Sequence, residues 1–277
     1  MKLLTFTLLA LAALALSPIT LLAAGTTDIT WYGHSAFKVI TPSGKVLLID
    51  PWLTNPANPK GKEQLAGLDK ADQILLTHAH GDHIGNTVEI ARKTGAKLIA
   101  SNDLMKAMVK YGDFPAKQAD QSGAGNAGGT VVLLGGEVKV TFTHALHSSS
   151  LEYEDKGGLP KNIAYAGNPG GFVIAISGGP TIYHTGDTDL YSDMKLIGDR
   201  ANVDVMMVCI GDKMTMGPEG AAAAVGLVNP KIVIPMHFGT NTALSGTPEA
   251  FEQALKKRSL KTVFKRMQVN EIFSWKP

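Results

Sequence analysis

Short apolar runs recur along the chain, and polar stretches rich in glycine and proline separate them. In the first half, alternating runs joined by turns predict a β-meander, and helical spacing follows it. The elements predicted for this half are strands at residues 28–33, 34–40, 45–50 and 97–100, helices at 87–94 and 103–111, and a loop at 53–66.

The second half repeats this order of β-rich sequence followed by alternating strands and helices. Its predicted elements are a hairpin of residues 130–134 and 137–143, strands at 172–176, 181–187, 203–210, 231–237 and near Phe273, and helices at 218–228 and 248–258. Two such halves predict an α/β fold with two sheets back to back and helices outside. Residues 151–171 are too long and irregular for a simple connection, which favours a lid or a substrate-binding edge.

The first 24 residues differ from the rest of the chain. Lys2 precedes an apolar run over residues 3–22, and small residues at 23–25 are typical of a signal-peptide cleavage site. A membrane anchor is the alternative, because about 20 apolar residues span a bilayer, but Pro18 interrupts the run. We expect export to a bacterial periplasm, no stable membrane insertion after cleavage, and one folded domain over residues 25–277.

Composition narrows the possible partners. The net charge of the 277-residue chain is +2, so no nucleic-acid partner is expected. Cys209 is the one cysteine and lies in an apolar run, so an intrachain disulfide is impossible and a buried core position is expected. A small-molecule substrate is the expected partner, and a homo-oligomer is left open.

The candidate functional residues are most concentrated in residues 74–86, where an apolar run leads into His78, His80, Asp82 and His83. A strand running into the turn would present His78 and His80 on one side, because strand side chains alternate with period two. Imidazole and carboxylate without thiolate suit zinc, manganese or iron(II), and the set is too rich for one tetrahedral ion. The pattern predicts two divalent ions, with Zn²⁺ preferred and Mn²⁺ or Fe²⁺ as alternatives.

Three more candidate ligands follow later apolar runs: His147, Asp187 and His237. Strand ends meet at a common edge of a sheet, so residues distant in sequence converge there. We expect Asp187 to bridge the two ions. The other ligands would divide into His78, His80 and His147 for one ion, and Asp82, His83 and His237 for the other. A water shared by two divalent ions loses a proton near neutral pH and becomes a nucleophile.

The motif of residues 78–83 and the later ligands resemble the metallo-β-lactamase superfamily, over nearly the whole chain after residue 24. More narrowly, the chain resembles the metal-dependent hydrolase branch related to L-ascorbate-6-phosphate lactonase (UPF0173-like), through residues 32–37, 50–51, 145–148, 186–188 and 210–217. The resemblance implies a four-layer αββα sandwich and two bound metals. It also implies hydrolysis by a metal-bound hydroxide, with the metals stabilising the oxyanion.

Asp82 and His34 are the candidate catalytic residues. His34 either contacts substrate or an oxyanion over the metals or hydrogen-bonds the backbone, and Asp82 either binds metal or holds a histidine in place. Asp50 is expected to orient a metal-binding histidine, since such histidines donate their other N–H to a carboxylate, and a turn role is the alternative. Lys213 is either a solvated lysine or a contact for an anionic substrate.

Two histidines are predicted to lie outside the metal site. His144 competes with His147 as a ligand, and we prefer His147 because a His-Ser pair fits the family pattern. His184 lies three residues before Asp187, which favours the opposite face of a strand and a core or surface role.

Together these patterns predict an exported binuclear hydrolase that uses a metal-bridging hydroxide on an ester, lactone, phosphodiester or amide bond. The site defines the reaction class but not the substrate. A di-iron redox enzyme of the same fold would carry more acidic ligands and a flavin partner domain. A non-catalytic metal-binding protein would keep the fold without turnover.

Overall fold

The structure, a computed structural model, describes residues 25–154 and 162–277. The strands in these ranges are β1 (Thr27–Trp31), β2 (Phe37–Ile40), β3 (Val46–Ile49), β4 (Gln73–Leu75), β5 (Lys97–Ser101), β6 (Ala124–Gly125), β7 (Thr130–Leu133), β8 (Val138–His144), β9 (Ser150–Tyr153), β10 (Asn162–Tyr165), β11 (Gly170–Ile176), β12 (Thr181–His184), β13 (Val205–Cys209), β14 (Ile232–Met236), β15 (Val263–Phe264) and β16 (Ile272–Trp275). The α-helices are α1 (Gly61–Ala66), α2 (Gly81–Ile84), α3 (Thr87–Thr94), α4 (Asn102–Lys110), α5 (Met194–Ala201), α6 (Pro218–Val228) and α7 (Pro248–Lys257).

Two seven-stranded sheets and one hairpin organise these strands. The first sheet has the order β16-β1-β2-β3-β4-β5-β6, the second has the order β15-β14-β13-β12-β11-β8-β7, and β9 pairs with β10. In each large sheet antiparallel strands lead into parallel ones, as in the step from the β2–β3 pair to the β3–β4 pair. Parallel neighbours need a crossover, so the C-terminal ends of several strands point to the same edge.

Side-chain alternation along the strands creates the layers. On β3, Leu47 and Ile49 belong to the apolar cluster shared by the two sheets, whereas Leu48 belongs to the cluster on the outer face of the first sheet. That second cluster contains Ile90 of α3 and Leu104 of α4. The shared cluster also reaches α6 and α7 beyond the second sheet. The result is the α/β sandwich that was predicted, with two sheets inside and helices outside.

Several predicted elements are confirmed. The helix over residues 87–94 has the predicted bounds, and Gly95 follows it in the left-handed conformation. The helix at 218–228 is also confirmed, with Pro218 at its first turn. Ser101 caps α4, and its side chain accepts a hydrogen bond from the Leu104 N–H. Among the described residues no helix is long and apolar enough to cross a membrane. The predicted signal peptide, residues 1–24, lies outside them.

Other predictions were wrong. Residues 53–66 are not entirely a loop, because Gly61–Ala66 form α1, and the sequence reading missed α5, β6 and β15. β4 ends at Leu75, so strand alternation does not place His78 and His80. The stretch 151–171 is not wholly irregular either, since β9 and β10 pair there. Residues 155–161 of the predicted lid lie outside the described residues.

Candidate metal centre

The predicted ligands meet at one edge of the sandwich, on loops that leave strands of both sheets. The loop after β4 leads into α2, and the other ligands follow β8, β12 and β14. Gly85, just after α2, is required by packing: a Cβ there would lie 2.4 Å from the Trp52 Cα, at a φ of +33°. This close approach of Gly85 to Trp52 holds α2, with the candidate ligands Asp82 and His83, against the first sheet.

Three imidazoles form what we call the outer group: His78, His80 and His147. His80 Nδ1 lies 3.0 Å from His78 Nε2 and 3.2 Å from His147 Nε2. His78 is fully buried, whereas His80 and His147 are partly exposed. The pKa of each of the three rings is lowered, and burial is the largest cause. Near pH 7 they are therefore neutral, which is the form that binds metal.

Four side chains form the inner group: His34, Asp82, His83 and His237. Their ligand atoms all lie within 4.8 Å of one another. The three histidines of this group are buried, while the Asp82 side chain is 36% exposed. The inner group therefore places one accessible carboxylate beside three enclosed imidazoles.

Asp187 lies between the two groups. Its Oδ2 atom is 3.2 Å from His83 Nε2 and 2.8 Å from His237 Nε2 in the inner group. The same oxygen is 3.7 Å from His147 Nε2 in the outer group. Burial favours the neutral acid, but His237 and His83 outweigh it and hold the pKa of Asp187 well below its ordinary value. Asp187 is therefore an ionised carboxylate in contact with both groups.

Buried atoms without a satisfied hydrogen bond show that the cluster fits a cation. Within residues 25–154 and 162–277, Asp187 Oδ1 is buried without a hydrogen-bond partner, and His83 Nε2 and His237 Nε2, although 3.2 and 2.8 Å from Asp187 Oδ2, form no well-aligned hydrogen bond. Such atoms are costly to bury unless something else pairs with them. In the outer group, imidazole nitrogens face one another across about 3 Å, as donors around one ion do. Nitrogen and carboxylate oxygen donors of this kind suit a divalent transition metal or zinc.

Asp50 supports the inner group from behind. Its carboxylate is fully buried and lies 2.7 Å from His83 Nδ1, and it also accepts hydrogen bonds from the Thr77 N–H and hydroxyl. Burial lowers the pKa of His83, but Asp187 and Asp50 on its two sides outweigh that effect and raise it well above the ordinary value. Two carboxylates around one ring attract positive charge, whether a proton or a metal ion supplies it.

His34 joins the inner group from the first sheet. Its Nε2 lies 3.0 Å from Asp82 Oδ2, and its Nδ1 lies 2.8 Å from Thr240 Oγ1. Burial lowers the pKa of His34 to about 4, so the ring is neutral near pH 7. Burial works to raise the pKa of Asp82, but the hydrogen bond from His34 and the nearby His83 hold it well below its usual range.

The remaining candidates lie away from the cluster. His144 ends β8 with an exposed side chain, and His184 is a core residue whose Nε2 lies 3.1 Å from the Ser35 carbonyl oxygen. Lys213 is exposed, and Cys209 is fully buried as expected. The sequence reading missed Thr240, which follows His34 by 206 positions and carries no motif.

A two-sheet sandwich with such an edge is the arrangement of a metallo-hydrolase. Residues 45–238 match the family described as "Beta-lactamase superfamily domain". A UPF0173 metal-dependent hydrolase of Thermodesulfovibrio yellowstonii is 60% identical over 247 residues, covering 89% of this chain and 91% of that protein. One from Anaeromyxobacter dehalogenans (strain 2CP-C) is 51% identical over 239 residues, covering 86% and 84%.

A solved structure agrees with these relatives. Igni18, described as a novel metallo hydrolase from the archaeon Ignicoccus hospitalis, aligns with a TM-score of 0.76 and 31% identity. The alignment covers 91% of this chain and 99% of Igni18. The chain therefore belongs to the β-lactamase superfamily, and it is a metal-dependent hydrolase.

Proposed function

We propose that the protein is a binuclear hydrolase that cleaves an ester, lactone, phosphodiester or amide bond in a small molecule. The main support for this proposal is the position of the Asp187 carboxylate between the outer group and the inner group, whose side chains are neutral or attract a cation. One ion would be held by His78, His80 and His147, and the other by Asp82, His83 and His237, with Asp187 shared between them. Zn²⁺ is preferred, with Mn²⁺ or Fe²⁺ as alternatives.

Divalent ions bound there would supply Lewis-acid activation of water and of the scissile carbonyl or phosphoryl group. The chain's own residues would do the rest. Asp50 fixes the His83 ring through Nδ1, so that Nε2 faces the cluster. Asp82 is the proposed catalytic residue, because its accessible carboxylate would accept a hydrogen bond from water at the mouth of the site and so orient that water, and His34 is a positioning residue that holds the carboxylate.

The test combines metal analysis with a panel of ester, lactone, phosphodiester, amide and β-lactam substrates. His78→Ala removes a fully buried ligand, and His144→Ala changes an exposed histidine on a neighbouring strand end as the control. In the wild type and in the control we expect two ions per chain and turnover. In His78→Ala we expect that bound metal and turnover are both lost. Unchanged metal content and rate in His78→Ala would reject the proposal. Iron absorbance without hydrolysis would favour the redox alternative, and bound metal without any turnover the non-catalytic one.

We further propose that the protein is exported and loses residues 1–24. The apolar run and the small residues at 23–25 support this proposal. Mass spectrometry of protein from a periplasmic extract should find a mature chain that starts near Gly25. A full-length chain retained in the membrane fraction would support the anchor instead.

A further inference from the structure

Thr240 contacts the metal centre from the loop that follows β14. Its side chain is partly buried, and its hydroxyl lies 2.8 Å from His34 Nδ1. On the other side of the same ring, Nε2 lies 3.0 Å from Asp82 Oδ2. The three side chains thus form a row of hydroxyl, imidazole and carboxylate that leads into the inner group.

The His34 ring is fixed in place by its backbone. Its carbonyl oxygen accepts hydrogen bonds from the Trp31 indole N–H at 2.9 Å and from the His237 backbone N–H at 3.1 Å. The residue holds a φ of +50°, and its side chain is 1% exposed. A left-handed conformation outside glycine is unfavourable and persists only where the surroundings impose it. The His34 backbone is therefore held in one conformation, and the pattern of hydrogen bonds that the ring donates and accepts decides what it can do.

The neighbours of the ring define that pattern. The ionised Asp82 carboxylate only accepts hydrogen bonds, so Nε2 must carry the hydrogen. A neutral imidazole has one N–H, which leaves Nδ1 as an acceptor. The partner at Nδ1 is a hydroxyl, which is able to donate. The contacts are satisfied together only when Thr240 donates to His34 and His34 donates to Asp82.

We propose that Thr240 is a positioning residue: by donating to Nδ1, its hydroxyl fixes the orientation of the His34 ring, whose Nε2–H is required by Asp82, and His34 thereby holds the Asp82 carboxylate towards the inner group. The consequence for metal binding rests on the proposed function. Asp82 lies in the four-residue helix α2 and is 36% exposed; among the described residues its carboxylate hydrogen-bonds His34, and His237 Nε2 lies 3.8 Å from the same oxygen. The arrangement matches the one at His83, where Asp50 fixes a ring from the side away from the cluster.

Nuclear magnetic resonance tests the tautomer without relying on activity. The full chain, labelled with ¹⁵N-histidine, is measured after removal of metal by chelation and again after loading with zinc. In the metal-free wild type we expect the hydrogen of His34 on Nε2. Thr240→Val keeps the side-chain volume and removes the donor to Nδ1, so the Nδ1 resonance should shift towards that of an imidazole nitrogen without a hydrogen bond, while Asp82 keeps the hydrogen on Nε2. Thr240→Ser should restore the wild-type pattern.

Thr242→Val is the matched control, since Thr242 is exposed on the same loop. Zinc titration gives the second readout. We expect Thr240→Val to weaken binding of one of two zinc ions by about tenfold, the lower end for residues that orient metal ligands. Thr240→Ser and Thr242→Val should bind both zinc ions as the wild type does.

Two results would overturn the inference. One is a wild-type His34 with its hydrogen on Nδ1, which needs no variant to observe. The other is a Thr240→Val protein whose His34 resonances and zinc affinity equal those of the wild type. A protein that binds no zinc although its His34 Nδ1 resonance responds to Thr240→Val would instead defeat the proposed function, so the two failures are distinguishable.

Discussion

The inner and outer groups of the metal centre differ in what holds their rings. In the inner group, the His83 ring is hydrogen-bonded to the buried Asp50, and the His34 ring is hydrogen-bonded to Thr240. In the outer group, over the part of the chain that the structure describes, only His78 has a buried partner, the Thr77 hydroxyl 3.0 Å from its Nδ1. His80 contacts its two neighbouring histidines and makes one long, exposed contact of 3.4 Å to the Ser148 hydroxyl. Groups that are fixed by buried partners lose little freedom when a ligand binds. We infer that the inner group is preorganised, whereas in the outer group His80 and His147 adjust to their ion.

The largest expected effect comes from the residue that the two groups share. Asp187→Ala should abolish binding at both, because its carboxylate contacts histidines on either side. Loss of the several kcal/mol that a Lewis acid supplies would lower kcat/KM by roughly 10³-fold. Metal analysis and the most rapidly hydrolysed substrate of the panel provide the measurement. Retention of one tightly bound ion would show that one group is complete without Asp187.

A smaller effect is expected from the support of the inner group. Asp50→Asn leaves the buried Thr77 and His83 donors poorly matched, so metal affinity should fall by roughly 10- to 100-fold. The free energy of unfolding should fall by about 1–3 kcal/mol. Isothermal titration with zinc and urea unfolding measure the two quantities.

Asp72→Asn is the control for that variant. Asp72 accepts a hydrogen bond from the Val46 N–H at the far end of β3, so it shares the chemistry of Asp50 but not its place at the cluster. Metal affinity in Asp72→Asn should equal that of the wild type. Equal losses of affinity in both variants would mean that Asp50 acts through stability alone.

The outer group should tolerate a comparable change. Ser148→Ala removes the hydroxyl near His80 Nε2, but the contact is long and exposed. We expect a loss below about 0.5 kcal/mol, which is about twofold in zinc affinity. A tenfold loss would show that the outer group also depends on outside support and would remove the contrast between the groups.

Cys209 reports whether the inner group keeps its structure without metal. The pKa of its thiol is raised to about 12, and burial is the largest cause. Its Sγ packs against the carbonyl oxygen of Thr188, the residue next to Asp187. We expect no reaction with a disulfide reagent at pH 8 in native protein, before or after chelation, and one reacting thiol in urea. A thiol exposed by chelation alone would contradict preorganisation.

Local sequence was enough to predict the parts of the site that adjoin one another. Residues 78–83 identify their own chemistry, and the glycine and proline at the ends of α3 and α6 locate those helices. The fold class followed from the alternation of apolar runs, because each half has to bury two faces of a sheet. Asp50 was found in the same way, as an acid at the end of an apolar run.

Tertiary packing decided what the sequence did not reveal. The short helix α1 begins in a stretch of turn residues, and α5 is short and carries Gly198, a poor helix former, in its interior. His78 and His80 approach each other although β4 ends at Leu75; the loop that carries them is held at Thr77, whose N–H and hydroxyl donate to Asp50 just after the neighbouring β3. Thr240 meets His34 only after the two sheets stack, so no local pattern marks it.

The central claim is that two metal ions share Asp187. The most direct measurement is an anomalous difference map from crystals of the metal-loaded protein, recorded at the absorption edge of the bound metal. The account predicts two peaks about 3.5–4 Å apart, one beside the outer group and one beside the inner group, with Asp187 between them. A single peak, or peaks away from Asp187, would contradict it.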